Sequence, residues 1–148
     1  MDDLKVAVIG AGVIGRTHID TLSKARGVSL SAIVDPTPAA GALAAQHQVP
    51  HFTDLDALLT AGLCEAAIVA SPNDTHVPIA GRLLEAGIPI LLEKPVASSL
   101  AEAADLAAVA ARTGVPVLVG HHRRHNPLIK TAKRAITKVE ARLAERPD

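Results

Sequence analysis

The feature that most restricts the fold is a rhythm. Short apolar runs rich in β-branched residues, KVAVIG (5–10), LSAIVD (30–35), AAIVAS (66–71), IPILLE (88–93) and VPVLVG (115–120), alternate with stretches whose apolar residues recur every three or four positions. Each run is nearly all apolar, the pattern of a parallel strand covered on both faces. IGRTHIDTLSKA (14–25), PAAGALAAQH (38–47), DLDALLTA (54–61), THVPIAGRLLEAG (75–87) and SLAEAADLAAVAARTG (99–114) read as helices. Ser98 or Ser99 stands as an N-cap ahead of Glu102, and Gly87 and Gly114 follow the last turns. HF at 51–52 adds a short strand. Strand, helix, strand in this rhythm requires right-handed crossovers, so the expected fold is α/β: a doubly wound, mostly parallel sheet in three layers, α/β/α, followed by a C-terminal helix. All strands then end along one edge, where ligands bind.

Composition excludes several classes of function. With 148 residues the chain makes one ordinary domain, divided here into residues 1–125 and a helical tail, 126–148. Lys and Arg number 15 and Asp and Glu 15, so no global field favours a nucleic acid or an anionic membrane. Phe52 is the only aromatic residue, which removes the stacking platforms of single-strand binders. No apolar run approaches the roughly 20 residues of a membrane helix, and the N-terminus lacks a signal-like pattern, so the expectation is a soluble, cytoplasmic protein without membrane or nucleic-acid partners. Cys64 stands alone and reads as a small buried hydrophobe.

The unusual residues collect at the expected strand ends. GAGVIG, residues 10 to 15, follows the first strand and opens the first helix, which is the context a dinucleotide fingerprint requires and makes the sheet Rossmann-like. Gly10 permits the turn, Gly12 lets a pyrophosphate approach, and Gly15 lets helix and strand pack; Val13 and Ile14 complete the loop. Asp35, twenty residues after Gly15, suits a ribose diol and repels a 2′-phosphate, favouring NAD over NADP; a cap for the helix starting near Pro38 is the other reading. Ser71, Asn73 and His76 occur in SPNDTH, which reads equally as a turn with His76 on the surface of the next helix. In EKPV, Lys94 at a strand end and partly buried would act on a substrate hydroxyl, or would simply pair with Glu93 at the surface.

These segments together resemble the N-terminal domain of the Gfo/Idh/MocA oxidoreductases, over about residues 4 to 136. VAVIGAGVIGRTHI, with His18 after the third glycine, IVDP, SPNDTH, AGIPILLEKPVASSLAEA and GHHRRHNP follow the family's order. The resemblance implies NAD or NADP as cofactor and hydride transfer between the nicotinamide and a carbinol carbon of a sugar, cyclitol or polyol. It implies that Lys94 is catalytic and contacts substrate, that the Lys94–Pro95 bond is cis, and that Glu93, Asn73 and His76 line the nicotinamide ribose. It also places Arg124 at the nicotinamide end.

The family carries a second domain that supplies further catalytic residues, and TKVEARLAERPD (137–148) departs from it: Lys138, Glu140, Arg142, Glu145 and Arg146 alternate in sign as on a solvated helix. The expectation is therefore a truncated member whose catalytic second domain is absent. A stand-alone NAD-binding module, or a fragment without turnover, is the alternative. Leu128, Ile129, Ile136 and Val139 on the last helix would form a self-association face, so a homo-oligomer, a dimer through that helix, is expected. His121, His122 and His125 are poorly disposed for a metal, and none is expected; His122 with Arg124 is placed facing the cleft, His122 towards substrate.

Overall fold

The computed structural model describes residues 2–144; the side chains of His122 and of 141–144, and all of 145–148 with Glu145 and Arg146, lie outside the described residues. Strands β1 (Leu4–Ile9), β2 (Val28–Val34), β3 (His51–Phe52), β4 (Ala66–Val69), β5 (Ile90–Leu92) and β6 (Val117–Val119) form a 6-stranded sheet in the order β3-β2-β1-β4-β5-β6. All five pairings are parallel. The helices are α1 (Val13–Leu22), α2 (Pro38–Gln46), α3 (Leu55–Ala61), α4 (His76–Glu85), α5 (Leu100–Thr113) and α6 (Pro127–Ala144). The strands of the second half are shorter than their apolar runs. Pro89 and Pro116 give carbonyls to Ala67 and Ile90 but have no N–H with which to extend the ladder.

Alternation along the strands splits the core between two faces. Val6 and Val8 pack with Ile19 of α1 and with Ala40, Leu43 and Ala44 of α2. Ala7 and Ile9 face Leu55 and Leu58 of α3, Ala80, Leu83 and Leu84 of α4, and Leu106 of α5. A bulge interrupts the pairing of the first two strands: Val6 opposes Leu30, and Ala7 opposes Ala32. Ser31 is the supernumerary residue, and its buried hydroxyl has no hydrogen-bond partner among the described residues.

Helix ends follow from local chemistry. Ser99 accepts the Glu102 N–H at 3.2 Å, while the Glu102 carboxylate accepts the Ser98 N–H at 2.9 Å, so both serines take part. Asn126 begins α6 by accepting the Leu128 N–H at 2.9 Å, with Pro127 as the first helical residue. Residues 127–140 of α6 are exposed throughout. The α1 side of β4–β6 is open as well: Ile68, Leu91 and Leu118 floor an apolar groove of about 610 Å³, with Leu118 63% exposed. No described helix is long and apolar enough to cross a membrane.

Candidate functional site

The strand order brings the unusual residues to one edge. β1 ends at Ile9 and α1 begins at Val13, leaving Gly10, Ala11 and Gly12 to make the turn. Gly10 has φ +94°, and a Cβ there would lie 2.5 Å from the Ala70 carbonyl oxygen, so a side chain is excluded on both counts. Among the described residues no side chain caps α1 at Gly12, and the first-turn N–H groups, which have no partner within a helix, are left for an anion. Val13 is 82% and Ile14 50% exposed, which fits cleft walls better than core. The Arg16 guanidinium donates back to the Ala11 carbonyl at 3.1 Å and stiffens the loop.

Asp35 follows β2 beside this loop. Its Oδ2 accepts the Ala11 N–H at 2.8 Å, and its Oδ1 accepts the Thr37 N–H at 2.8 Å and the Thr37 hydroxyl. The carboxylate thus braces the turn ahead of α2 and touches the glycine loop, but it does not cap the helix, whose N-cap is Thr37. Burial raises its pKa, but the hydrogen bonds from Thr37 and Ala11 and the nearby His51 outweigh it, and the net displacement is downward. Next to Asp35, a cavity of about 290 Å³ opens between the ends of β1, β2 and β4, with Pro36, Thr53, Asp54, Leu55, Pro72 and Ile79 in its walls. None of these six was singled out from the sequence. They come from the β3–α3 turn and the first residue of α3, the turns after β2 and β4, and α4, and only the strand order brings them together.

Beyond β1 come the β4 and β5 exits. Asn73 is exposed in a 3-10 turn, Asn73–Thr75, and the Ser71 and Thr75 hydroxyls are 2.8 Å apart. His76 departs from expectation. Its ring is 1% exposed, so it is neither a surface residue nor a wall of the cleft. Nδ1 lies 2.7 Å from the Pro95 carbonyl oxygen and Nε2 2.9 Å from that of Ser71, because α4 turns inward at its first residue and carries the ring beneath the loop. Lys94 is exposed where the sequence reading had it partly buried, and among the described residues no ion pair joins it to Glu93, whose Oε1 meets His18 Nε2 of α1 at 2.9 Å. The Lys94–Pro95 bond is cis.

After β6, a 3-10 turn (His122–His125) carries the basic cluster. Lys94, Gly120, His121, Arg123 and Arg124 surround a small cavity of about 90 Å³, so Arg124 does lie beside Lys94, joined by Arg123 and His121. The expected role of His122 falls on a side chain outside the described residues. Among the described residues no group of three or more His, Cys, Asp or Glu is placed to hold a metal. Cys64 is half-buried against the core, and burial pushes its thiol pKa up, away from nucleophilic character.

The model of the Gfo/Idh/MocA oxidoreductase family, described as having an NAD-binding Rossmann fold, matches residues 4–121. The chain belongs to that family. Inositol 2-dehydrogenase of Corynebacterium glutamicum (strain R) is 32% identical over 142 residues, 93% of this chain and 42% of that protein. The crystal structure of GenD2 from gentamicin A biosynthesis in complex with NAD is 36% identical with a TM-score of 0.75, over 81% of this chain and 35% of that one. A putative myo-inositol dehydrogenase from Sinorhizobium meliloti 1021 is 29% identical with a TM-score of 0.83, over 91% and 41% of the two chains. The chain thus spans about two-fifths of the length of these relatives, the part that is the family's N-terminal, NAD-binding domain. The residues present fit that cofactor: an uncapped helix N-terminus for the pyrophosphate, a carboxylate for the ribose diol, and a largely apolar slot beside it.

Proposed function

We propose that this chain is the cofactor-binding part of an NAD-dependent dehydrogenase acting on a carbinol carbon of a sugar, cyclitol or related polyol. One observation carries the reading: the sheet order sets Asp35 (after β2), the glycine loop (after β1), Ser71–Asn73 (after β4), Lys94 (after β5) and Arg124 (after β6) side by side along one edge. At about 4.8 Å between strands, Asp35 and Lys94 stand three strands, roughly 14 Å, apart, the scale of an extended dinucleotide. Bound NAD supplies the hydride acceptor. Gly10, Gly12, Val13, Ile14 and Gly15 hold the pyrophosphate, Asp35 takes the adenosine ribose, and Ser71, Asn73 and Glu93 border the nicotinamide ribose. The Lys94 Nζ holds the substrate hydroxyl and receives its proton as the carbinol hydrogen leaves. Arg124 flanks that position. NADP is the weaker ligand because Asp35 repels a 2′-phosphate.

We assign residues 1–125 to the cofactor unit and 126–148 to a connection, with turnover depending on sequence beyond the span matched here. A cytoplasmic setting and self-association through α6 belong to the same reading. The latter is supported by Leu128, Ile129, Ile136 and Val139, exposed at 79%, 46%, 59% and 56%. Calorimetric titration with NAD and NADP tests the core of the proposal. Saturable binding that favours NAD is expected; no heat with either cofactor would leave a folded fragment without ligand. Polyol turnover lost on Lys94→Ala in a full-length context is the second expectation, and turnover that survived it would remove Lys94 from the chemistry. NAD binding with no turnover in that context would favour a stand-alone binding module.

A further inference from the structure

We propose that His76 and His18 are positioning residues that aim Lys94, each fixing one of its two neighbours in the chain. The inference rests on the reading of Lys94 as the proton-handling group. Lys94 itself is exposed, yet both flanking residues are pinned. On one side, Glu93 continues the ladder through its N–H to the Val69 carbonyl at 2.9 Å, and its carboxylate meets His18 Nε2 at 2.9 Å. The carboxylate is also walled by β6: a Cβ on Gly120 would come within 2.9 Å of it, so its side chain has little room to move. Its second oxygen accepts the Lys94 N–H at 3.3 Å, which passes the constraint to the lysine backbone.

On the other side, the Pro95 carbonyl lies 2.7 Å from His76 Nδ1, and the same ring reaches the Ser71 carbonyl at 2.9 Å. His76 is the one buried polar or charged residue among the described residues. A buried imidazole is costly unless its nitrogens are used, and here both face carbonyl oxygens. Each ring N–H donates to the carbonyl oxygen it faces, and the two close contacts set the ring between the β4 exit and the β5 exit. The two histidines come from α1 and α4, the helices that begin at the glycine loop and at the SPNDTH turn. The segments proposed to hold the cofactor are therefore the segments that orient the lysine.

The test reads Lys94 directly and needs no turnover. The full chain is acetylated sparingly with acetic anhydride, with and without NAD, and Lys94 modification is measured by mass spectrometry against Lys5 and Lys130 in the same molecules. NAD protects Lys94 in the unaltered chain. His76→Phe, which keeps the ring volume without the bonds, and His18→Ala each change the Lys94 rate about fivefold relative to the reference lysines, as for one net hydrogen bond lost. His76→Gln, which retains one donor, recovers part of the difference. A merely structural role would move all three lysines together with the melting temperature, and that result overturns the proposal. Should His76→Phe not fold, His18→Ala and His76→Gln carry the same comparison. If NAD protects Lys94 but the variants label as the unaltered chain does, the positioning role is refuted and the functional reading stands. If NAD binds without protecting Lys94, both fall.

Discussion

Gly15 and Gly12 occupy one loop yet should fail in opposite ways when each is replaced by alanine. A Cβ on Gly15 would sit 1.8 Å from the Gly10 carbonyl oxygen and 2.8 Å from its carbon. Both are backbone atoms and cannot rotate aside, so α1 must retreat from the loop by about 1.2 Å to restore even a 3.0 Å contact. Ile19, on the same helix and 0% exposed, would be drawn out of the core with it. Overpacking of this kind costs about 3 kcal/mol, the upper end of the usual range, which lowers Tm by roughly 6 to 12 °C for a chain of this size. At Gly12 an added Cβ meets nothing within 4 Å, and φ is −69°, so alanine is accepted there without strain. On the proposed reading the methyl group instead fills space that the pyrophosphate takes. Losing one or two charge-assisted bonds weakens NAD by about 10- to 100-fold. Differential scanning fluorimetry and NAD titration of both variants separate the effects. A Gly12→Ala chain that binds NAD as the unaltered chain does, or a Gly15→Ala chain with unchanged Tm, would refute this account of the loop.

Asp35 links stability to acid. Its folded pKa lies below the unfolded value, so its contribution is complete above the ordinary aspartate range and disappears as pH falls through the folded value. The stability gap between the unaltered chain and Asp35→Asn should be constant near neutrality and close below about pH 4, as read from urea melts; a gap that widened on acidification would reverse the sign. Asp35→Ser should raise NADP affinity relative to NAD by tenfold or more, about 1.4 kcal/mol, once the repelling carboxylate is gone. Ile136→Glu should reduce the light-scattering mass of an α6-mediated dimer to that of a monomer, and a monomeric unaltered chain would dispose of the dimer altogether.

The elements that sequence located well are those whose signal is local. The strands lie within their apolar runs or start one or two residues earlier, the helices begin within a residue of their expected starts, and Ser98, Ser99 and Glu102 cap α5 as their spacing predicts. The candidate site was legible where a residue's position follows from its own strand end, as with Asp35 beside the glycine loop and Lys94 after β5. His76 was misplaced because a histidine in a first helical turn gives no sign of which way it faces. That depends on Pro95, nineteen residues away, offering a carbonyl beneath the loop. His18 was noticed only as a motif position, because Glu93 is 75 residues distant and reaches it through the β1–β4–β5 arrangement. The walls beside Asp35 share no local signature: Pro36 and Pro72 fall within IVDP and SPNDTH, while Thr53, Asp54, Leu55 and Ile79 join them only through the strand order.

The bulge at Ser31 bears on how this chain tolerates changes of length. In a regular strand, deleting one residue exchanges the two faces and turns core side chains outward. Here the sheet already counts Ser31 as surplus: with it removed, Leu30 and Ala32 would become adjacent and oppose Val6 and Ala7 in unbroken register. Ile33 would keep its place over α1 and α2, Ala32 and Val34 theirs on the opposite face, and Asp35 its reach to Ala11. The deletion would also remove a buried hydroxyl that has no partner among the described residues. Ser31 is thus the position within β2 where the reading frame of the pleat can lose a residue and stay in phase.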